Sequence, residues 1–214
     1  MKILNCYAGI GGNRRLWGED HNIVAVELNP QIAQIYQDFF PNDKVVVGDA
    51  HEYLLAHYKE FDFIWTSPVC VTHSRLRLSQ PNLVVYPDMA LYQEIILLRE
   101  WFKGNWVVEN VQPYYDSLIP PTTEIDRHYF WANFFIPPFG TKTDWRTATV
   151  KGERELLTQR FGINLDSYSG IDKRKALRNC VVPELGLHIF NCAKSQSRQL
   201  FEMAETKQVS LFEL

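Results

Sequence analysis

Five short β-rich runs alternate with helical patterns through the first two thirds of the chain. The runs are Lys2 to Tyr7, Ile23 to Leu28, Lys44 to Gly48, Phe61 to Thr66 and Asn105 to Glu109. Between them, NPQIAQIYQDFF, AHEYLLAHYKE and YPDMALYQEIILLREWF place apolar residues at i, i+3 and i+4, the period of an amphipathic helix. This β-α-β-α order predicts a parallel sheet with helices on both faces. Ligands in such sheets bind beyond the carboxyl ends of the strands, so those ends are where function is to be sought.

The pattern changes after Val111. A proline-rich loop, VQPYYDSLIPPTTE, leads to an aromatic strand from His128 to Ile136. From Pro137 to about Ser169 the chain is polar and weakly patterned, and from Ile171 a basic segment leads into an amphipathic helix. A length of 214 residues allows one substantial core. The expected organisation is one domain over residues 1–192, with an irregular insertion at 137–170 and a tail over 193–214.

Composition narrows the partners. A net charge of −3 gives no global positive field to draw the chain to a polyanion, so any nucleic-acid contact is local. Cys6, Cys70, Cys180 and Cys192 form no C-x-x-C pair, which argues against a structural zinc and against a disulfide framework. The amino terminus, MKILNCYAG, has too short an apolar run for a signal peptide. No window approaches the ~20 apolar residues of a membrane span, so a soluble, cytoplasmic protein without membrane contact is expected.

The strand ends carry unusual residue types. The first runs into Ala8-Gly9-Ile10-Gly11-Gly12, where glycines let backbone approach a ligand closely. A dinucleotide fingerprint needs a third glycine at position 14, where Arg14 stands. The second strand ends in Glu27, whose carboxylate can accept from a ribose diol. The third ends in Gly48-Asp49, where a carboxylate can take a hydrogen bond from an adenine amino group or serve as a helix N-cap. Together these ends favour a nucleoside site. The fourth strand ends in Ser67-Pro68-Val69-Cys70, and a lone cysteine there is either a buried small hydrophobe or a nucleophile. The fifth ends in Glu109-Asn110, a costly place for a carboxylate unless it is used. With a proton it becomes a general acid.

NCYAGIGG, VELNP, GDAHEYL, TSPVCVTHS and VVENV, in this order and spacing, resemble the successive motifs of the DNA cytosine-C5 methyltransferase family. RNCVVPEL is similar to that family's closing segment. The resemblance covers roughly residues 1 to 136 and 171 to 192. It implies a Rossmann-like, mostly parallel α/β fold, S-adenosyl-L-methionine as cofactor, and methyl transfer to carbon 5 of a cytosine flipped out of DNA. It also implies Cys70 as the nucleophile that adds to C6, Glu109 as the acid at N3, Asn110 as the residue that holds the loop, and Arg127 as a contact to the flipped base. For the cofactor it implies Tyr7, Ala8, Gly9, Ile10, Gly11 and Gly12 at the methionine end, Glu27 and Leu28 at the ribose, and Asp49 and Ala50 at the adenine. Pro68 orders the catalytic turn, and Asn179 and Val181 close the pocket. Tyr7 stands where the family usually has phenylalanine.

Three departures from the family pattern stand out. Val69 replaces the second proline of Pro-Pro-Cys, which removes a φ constraint and predicts a looser catalytic loop. The DRHYF stretch offers Arg127 but no second arginine, and His128 reads as a strand-face residue. Only about forty residues separate the Arg127 strand from Asn179, where the family inserts a long target-recognition domain. Readout of base edges needs side chains that reach into a groove. The candidates for backbone contact are Arg75, Arg77, Lys142, Arg146, Lys173, Arg174, Lys175 and Arg178. Short, relaxed specificity or a separate specificity protein is expected. The compactness is similar to that of phage-encoded relatives.

The chain ends in QVSLFEL, which resembles the peptide that docks bacterial proteins on the replication sliding clamp. Leu211 and Phe212 would be its apolar anchors and Gln208 its edge contact. The same residues could instead pack back on the domain. Two further readings stay open: a tRNA methyltransferase with the same catalytic motifs, and a non-enzymatic subunit that binds the cofactor and completes another chain's site.

Overall fold

All five strands expected from the alternating pattern are present in the computed structural model, which describes residues 1–75, 85–140 and 152–196. They are β1 (Lys2–Cys6), β2 (Asn22–Glu27), β3 (Lys44–Val47), β4 (Phe63–Thr66) and β5 (Asn105–Val111). Two more strands, β6 (Thr123–Ile125) and β7 (His128–Ala132), complete a seven-stranded sheet of order β3-β2-β1-β4-β5-β7-β6. β1 to β5 pair in parallel, whereas β7 pairs antiparallel with both β5 and β6. The fold is therefore α/β and Rossmann-like, with a mostly parallel sheet.

Burial on both faces explains why the strands read as continuous apolar runs rather than alternating ones. On one face Leu4, Val24, Ile64 and Val108 pack against α2 (Ala50–His57) and α3 (Ala90–Trp101). On the other Ile3, Ile23, Phe63, Trp65 and Val107 meet α1 (Pro30–Phe39), α4 (Glu153–Phe161), α5 (Lys173–Arg178) and a helix over 183–196, here α6. Phe63, Trp65, Phe130 and Phe190 are fully buried. Each contributes roughly 1.5–3 kcal/mol relative to an exposed side chain. No described helix is long and apolar enough to cross a membrane.

Capping chemistry sets the helix starts. Asn29 accepts from the Gln31 and Ile32 amides ahead of Pro30, and Asp49 accepts from the Glu52 amide. Asp172 caps α5 through the Lys175 amide.

Three elements differ from the sequence expectation. The aromatic strand ends at Ala132 rather than Ile136, although Phe134 and Ile136 stay buried. β6 falls inside the proline-rich loop. α4 falls inside the weakly patterned stretch, between Gly152 at φ 94° and Gly162 at φ 63°, a left-handed residue of the kind that ends helices.

Candidate active site

Register sets the site. Val46 pairs with Val26, Val26 with Cys6, Cys6 with Thr66 and Thr66 with Val108. One residue further on, Val47, Glu27, Tyr7, Ser67 and Glu109 form the next row, at the carboxyl edge of the sheet. All five candidate segments thus start from the carboxyl ends of neighbouring strands.

After β1 the chain turns sharply. Tyr7 has φ 55°, a left-handed value for a non-glycine residue, and Gly9 and Gly11 follow at 55° and 81°. The Gly9 amide donates to Glu27 Oε2 at 3.0 Å, and the Asn29 amide donates to Glu27 Oε1 at 2.9 Å. Glu27 therefore organises two turns, and each of its oxygens keeps a lone pair for another donor. A side chain at Gly9 or Gly48 would meet nothing within 4 Å, so both border open space. At Gly11 a Cβ would stand 2.2 Å from the Phe40 ring, and at Gly12 2.6 Å from Cys180 Cβ and 2.7 Å from the Val181 carbonyl. Those two glycines permit close packing, and Gly12 seats the Asn179–Val181 segment against the turn. Ile10 is 1% exposed in the core and Ala8 is buried, so both face the ligand side with backbone only.

Asp49 Oδ1 caps α2 at 3.0 Å, and its second oxygen accepts no hydrogen bond among the described residues. Ala50 is buried behind it, whereas Leu28 and Val47 are exposed at 68% and 53%. Open space at two glycines, carboxylates at Glu27 and Asp49 and uncovered apolar side chains at Leu28 and Val47 suit a ribose and a flat ring.

The second half of the site is the turn after β4. Residues Cys70–Thr72 form one 3-10 turn, and the His73 and Ser74 amides both donate to the Cys70 carbonyl at 3.0 Å. Asn110, 1% exposed at the end of β5, donates from Nδ2 to the Pro68 carbonyl at 2.9 Å. Further along, Tyr114 donates to the His73 carbonyl, Ser74 bridges to Pro113, and Arg75 Nε reaches the Pro113 carbonyl at 3.3 Å. Thr72 Oγ1 accepts from the Asp88 amide at 3.1 Å.

Val69 stands at φ −55°, the value a proline would impose, and the turn is held from three sides.

Glu109 is buried on β5, with His128 Nε2 at 3.8 Å from its Oε1. Burial pushes the Cys70 thiol up, and the Glu109 charge pushes it further. A backbone hydrogen bond at Cys70 and the charge of Lys175 pull the other way. The charges of Glu109 and Lys175 thus act on the Cys70 thiol in opposite directions. Cys70 is half-buried rather than enclosed among aliphatic side chains.

Arg127 is exposed at the tip of the β6–β7 hairpin beside Asp126 at φ 56°; its carbonyl accepts from the Gln112 amide at 2.8 Å, and the next residue, His128, stands 3.8 Å from Glu109 Oε1. The basic cluster is largely engaged within the fold. Arg174 and Arg178 pair with Glu153, and Lys173 Nζ donates to the Asp166 carbonyl at 3.0 Å. Lys175 is the member whose charge reaches Cys70. Arg77, Lys142, Arg146, Gln208, Leu211 and Phe212 lie outside the described residues.

Two features were missed in the sequence. Arg14, standing where a fingerprint glycine would be, is buried and forms a two-point ion pair with Asp43 at 2.9 and 3.1 Å, backed by the Tyr36 hydroxyl. Glu94 is a fully buried carboxylate on α3, receiving hydrogen bonds from Tyr7, His51 and Thr66. Its signal was available, because Leu91, Glu94, Ile95 and Leu98 share one helix face and only one of them is charged.

No protein-family model and no curated protein matches the chain. Solved structures match parts of it. A putative methyltransferase, yhhF, from Escherichia coli is 16% identical over 61% of this chain and 73% of that one, with a TM-score of 0.39. The Entamoeba histolytica methyltransferase EhMeth is 17% identical over 55% of this chain and 40% of that one, TM-score 0.38. A mutant of Spodoptera frugiperda DNMT2 is 23% identical over 55% of this chain and 37% of that one, TM-score 0.37. Likeness at this level assigns the chain to no family.

Proposed function

We propose that the chain is an S-adenosyl-L-methionine-dependent methyltransferase that modifies carbon 5 of cytosine in DNA through a covalent adduct of Cys70. The observation that carries this reading is the Asn110–Pro68 hydrogen bond, which ties the Cys70 turn to the strand end bearing Glu109. A thiol and a carboxyl group are thereby presented at one edge, beside the Glu27 and Asp49 carboxylates and the open space at Gly9 and Gly48.

Cytosine C5 is a poor nucleophile. Addition of the Cys70 thiolate to C6 moves electron density onto C5, and a proton from Glu109 to N3 lowers the cost of that addition. S-adenosyl-L-methionine, when bound, supplies the electrophilic methyl group. Water acting as a base then takes the C5 proton, the C6–S bond breaks to release the Cys70 thiolate, and N3 returns its proton to Glu109, which restores the ring. Glu27 and Asp49 would hold the ribose and the adenine edge, Leu28 would cover the ring, and Gly9 would admit the methionine end.

Because the target atom is stacked inside a duplex, the base must be extruded. The interval between β7 and Asn179 is short for sequence readout, so recognition is brief or supplied by a separate specificity protein, and docking of Gln208, Leu211 and Phe212 on a sliding clamp would raise the local concentration on DNA. Incubation with labelled S-adenosyl-L-methionine and either duplex DNA or tRNA tests this reading. Label at cytosine C5 of DNA supports it, label on tRNA alone reassigns the substrate, and transfer to neither contradicts it.

A further inference from the structure

We infer that Glu94 is the positioning residue of the cofactor groove, holding three of its wall segments in register from beneath. The inference rests on the methyltransferase reading above and adds a residue to it that touches neither reacting group.

Glu94 lies on α3, outside every strand end, yet its side chain is 0% exposed. Tyr7 Oη donates to its Oε1 at 2.7 Å, His51 Nδ1 stands 2.9 Å from the same oxygen, and Thr66 Oγ1 donates to Oε2 at 2.6 Å. Each partner adjoins one part of the site. Tyr7 starts the glycine turn, His51 follows Asp49 and Ala50 in the first turn of α2, and Thr66 is the last residue of β4 before Ser67 to Cys70.

Two observations set this carboxylate apart from an ordinary buried ion. Tyr7 adopts φ 55°, which a non-glycine residue keeps only when its surroundings over-determine it, and the phenol–Glu94 bond supplies such a hold. In addition, the ring nitrogens of His51 face two acceptors, Glu94 Oε1 at 2.9 Å and Gln93 Oε1 at 3.2 Å, an arrangement that suits an imidazolium. Glu94 thus meets one imidazole nitrogen and two hydroxyl donors, which satisfies both carboxylate oxygens. A carboxylate alone accepts from all three partners. Glutamine would turn an NH₂ group toward a donor, and an aliphatic residue would strand Tyr7, His51 and Thr66 together.

Small displacements of a group that positions a ligand cost affinity out of proportion to their size. At metal sites, removing such a supporting partner weakens binding by about 10- to 100-fold, and a loss of about tenfold or more is expected for Glu94→Gln. For Tyr7→Phe, which deletes the one hydroxyl donated to Glu94, the expected loss is several-fold, up to about tenfold.

Binding of S-adenosyl-L-methionine by calorimetry, with thermal unfolding of each ligand-free protein, tests the assignment on four chains: wild type, Glu94→Gln, Tyr7→Phe and Phe190→Leu. Phe190 is in the core on the opposite face of the sheet and serves as a variant that lowers stability alone. Weaker binding in Glu94→Gln and Tyr7→Phe, with wild-type affinity in Phe190→Leu, supports the inference. If Glu94→Gln does not fold, Tyr7→Phe against Phe190→Leu decides it. Wild-type affinity in the folded Glu94 and Tyr7 variants overturns the role of Glu94 and leaves the methyltransferase reading standing. No binding by the wild type overturns both.

Discussion

Asn110 and Pro68 are 42 residues apart in sequence and joined at 2.9 Å by a buried side-chain to backbone hydrogen bond. Asn110 also accepts the Val111 amide at its Oδ1, so its amide plane is fixed from both ends. The position of Cys70 is thereby set by the end of β5.

Asn110→Ala leaves the Pro68 carbonyl without its donor in a buried setting. The expected cost is about 1–3 kcal/mol of stability. Methyl transfer should fall further than stability does, because the nucleophile loses its fixed place relative to Glu109. Urea unfolding and a transfer assay on the same preparation separate the two effects, and equal transfer by the variant would contradict the role assigned here.

Val69→Pro should be tolerated. Val69 already holds φ −55°, and its amide makes no hydrogen bond among the described residues. A proline there restricts the unfolded chain and stabilises by roughly 0.4–1 kcal/mol. A lower melting temperature would show that the turn needs the Val69 amide or side chain.

Glu109→Gln and Lys175→Gln should move Cys70 in opposite directions. The first removes a charge that pushes the thiol up, and the second removes one that pulls it down. At a fixed neutral pH, alkylation of Cys70 by iodoacetamide should therefore be faster in Glu109→Gln and slower in Lys175→Gln than in wild type. The Lys175 effect should shrink with added salt, because that side chain is exposed. Glu109→Gln should nonetheless lose methyl transfer by about 10²–10⁴-fold as the proton donor is removed. Changes of the same sign in both variants would place one of the two charges away from the thiol.

The His51–Glu94 contact gives stability a pH dependence of definite sign. The hydrogen bond to Glu94 raises the His51 pKa above 6.5, against a smaller lowering by burial, and the Glu94 charge, Gln93 and the Asp49 charge add to the rise. The unfolded chain releases this proton first as pH increases. The stabilisation is therefore complete below pH 6.5 and is lost as pH rises through the folded-state value. The stability difference between wild type and His51→Gln should be largest below pH 6.5 and shrink above it, measured by urea unfolding across the range. A difference that grows with pH would contradict the contact.

Much of the architecture was legible because local period and global topology agree. β1 to β5 are short apolar runs separated by amphipathic helices, and a parallel sheet then places every strand end on one edge. Glu27, Asp49, Cys70 and Glu109 could be grouped on that ground before any distance was known. β6 was hidden because three residues, Thr123–Ile125, beside Pro120 and Pro121 carry no period. α4 was hidden because only Glu153 and Phe161 of its residues are buried. Pairings across the chain were the least legible. Arg14 reads as a defect in a glycine fingerprint until Asp43, 29 residues on, is seen against it. Glu94 reads as one more charge in a helix until Tyr7, 87 residues before it, is seen to donate to it. The ties that hold the Cys70 turn were likewise out of reach, since the donors to Pro68 and Thr72 are Asn110 and the Asp88 amide, 42 and 16 residues away.

The central claim is the covalent step at Cys70, and trapping on a duplex that contains 5-fluorocytosine tests it most directly. That base carries fluorine in place of the C5 proton whose loss frees the enzyme. Incubation with S-adenosyl-L-methionine should therefore give a denaturation-resistant protein–DNA adduct in wild type, mapped to Cys70 by peptide mass spectrometry, and none in Cys70→Ala. No adduct in a wild type that binds both the cofactor and the duplex, or an adduct that persists in Cys70→Ala, would contradict the account.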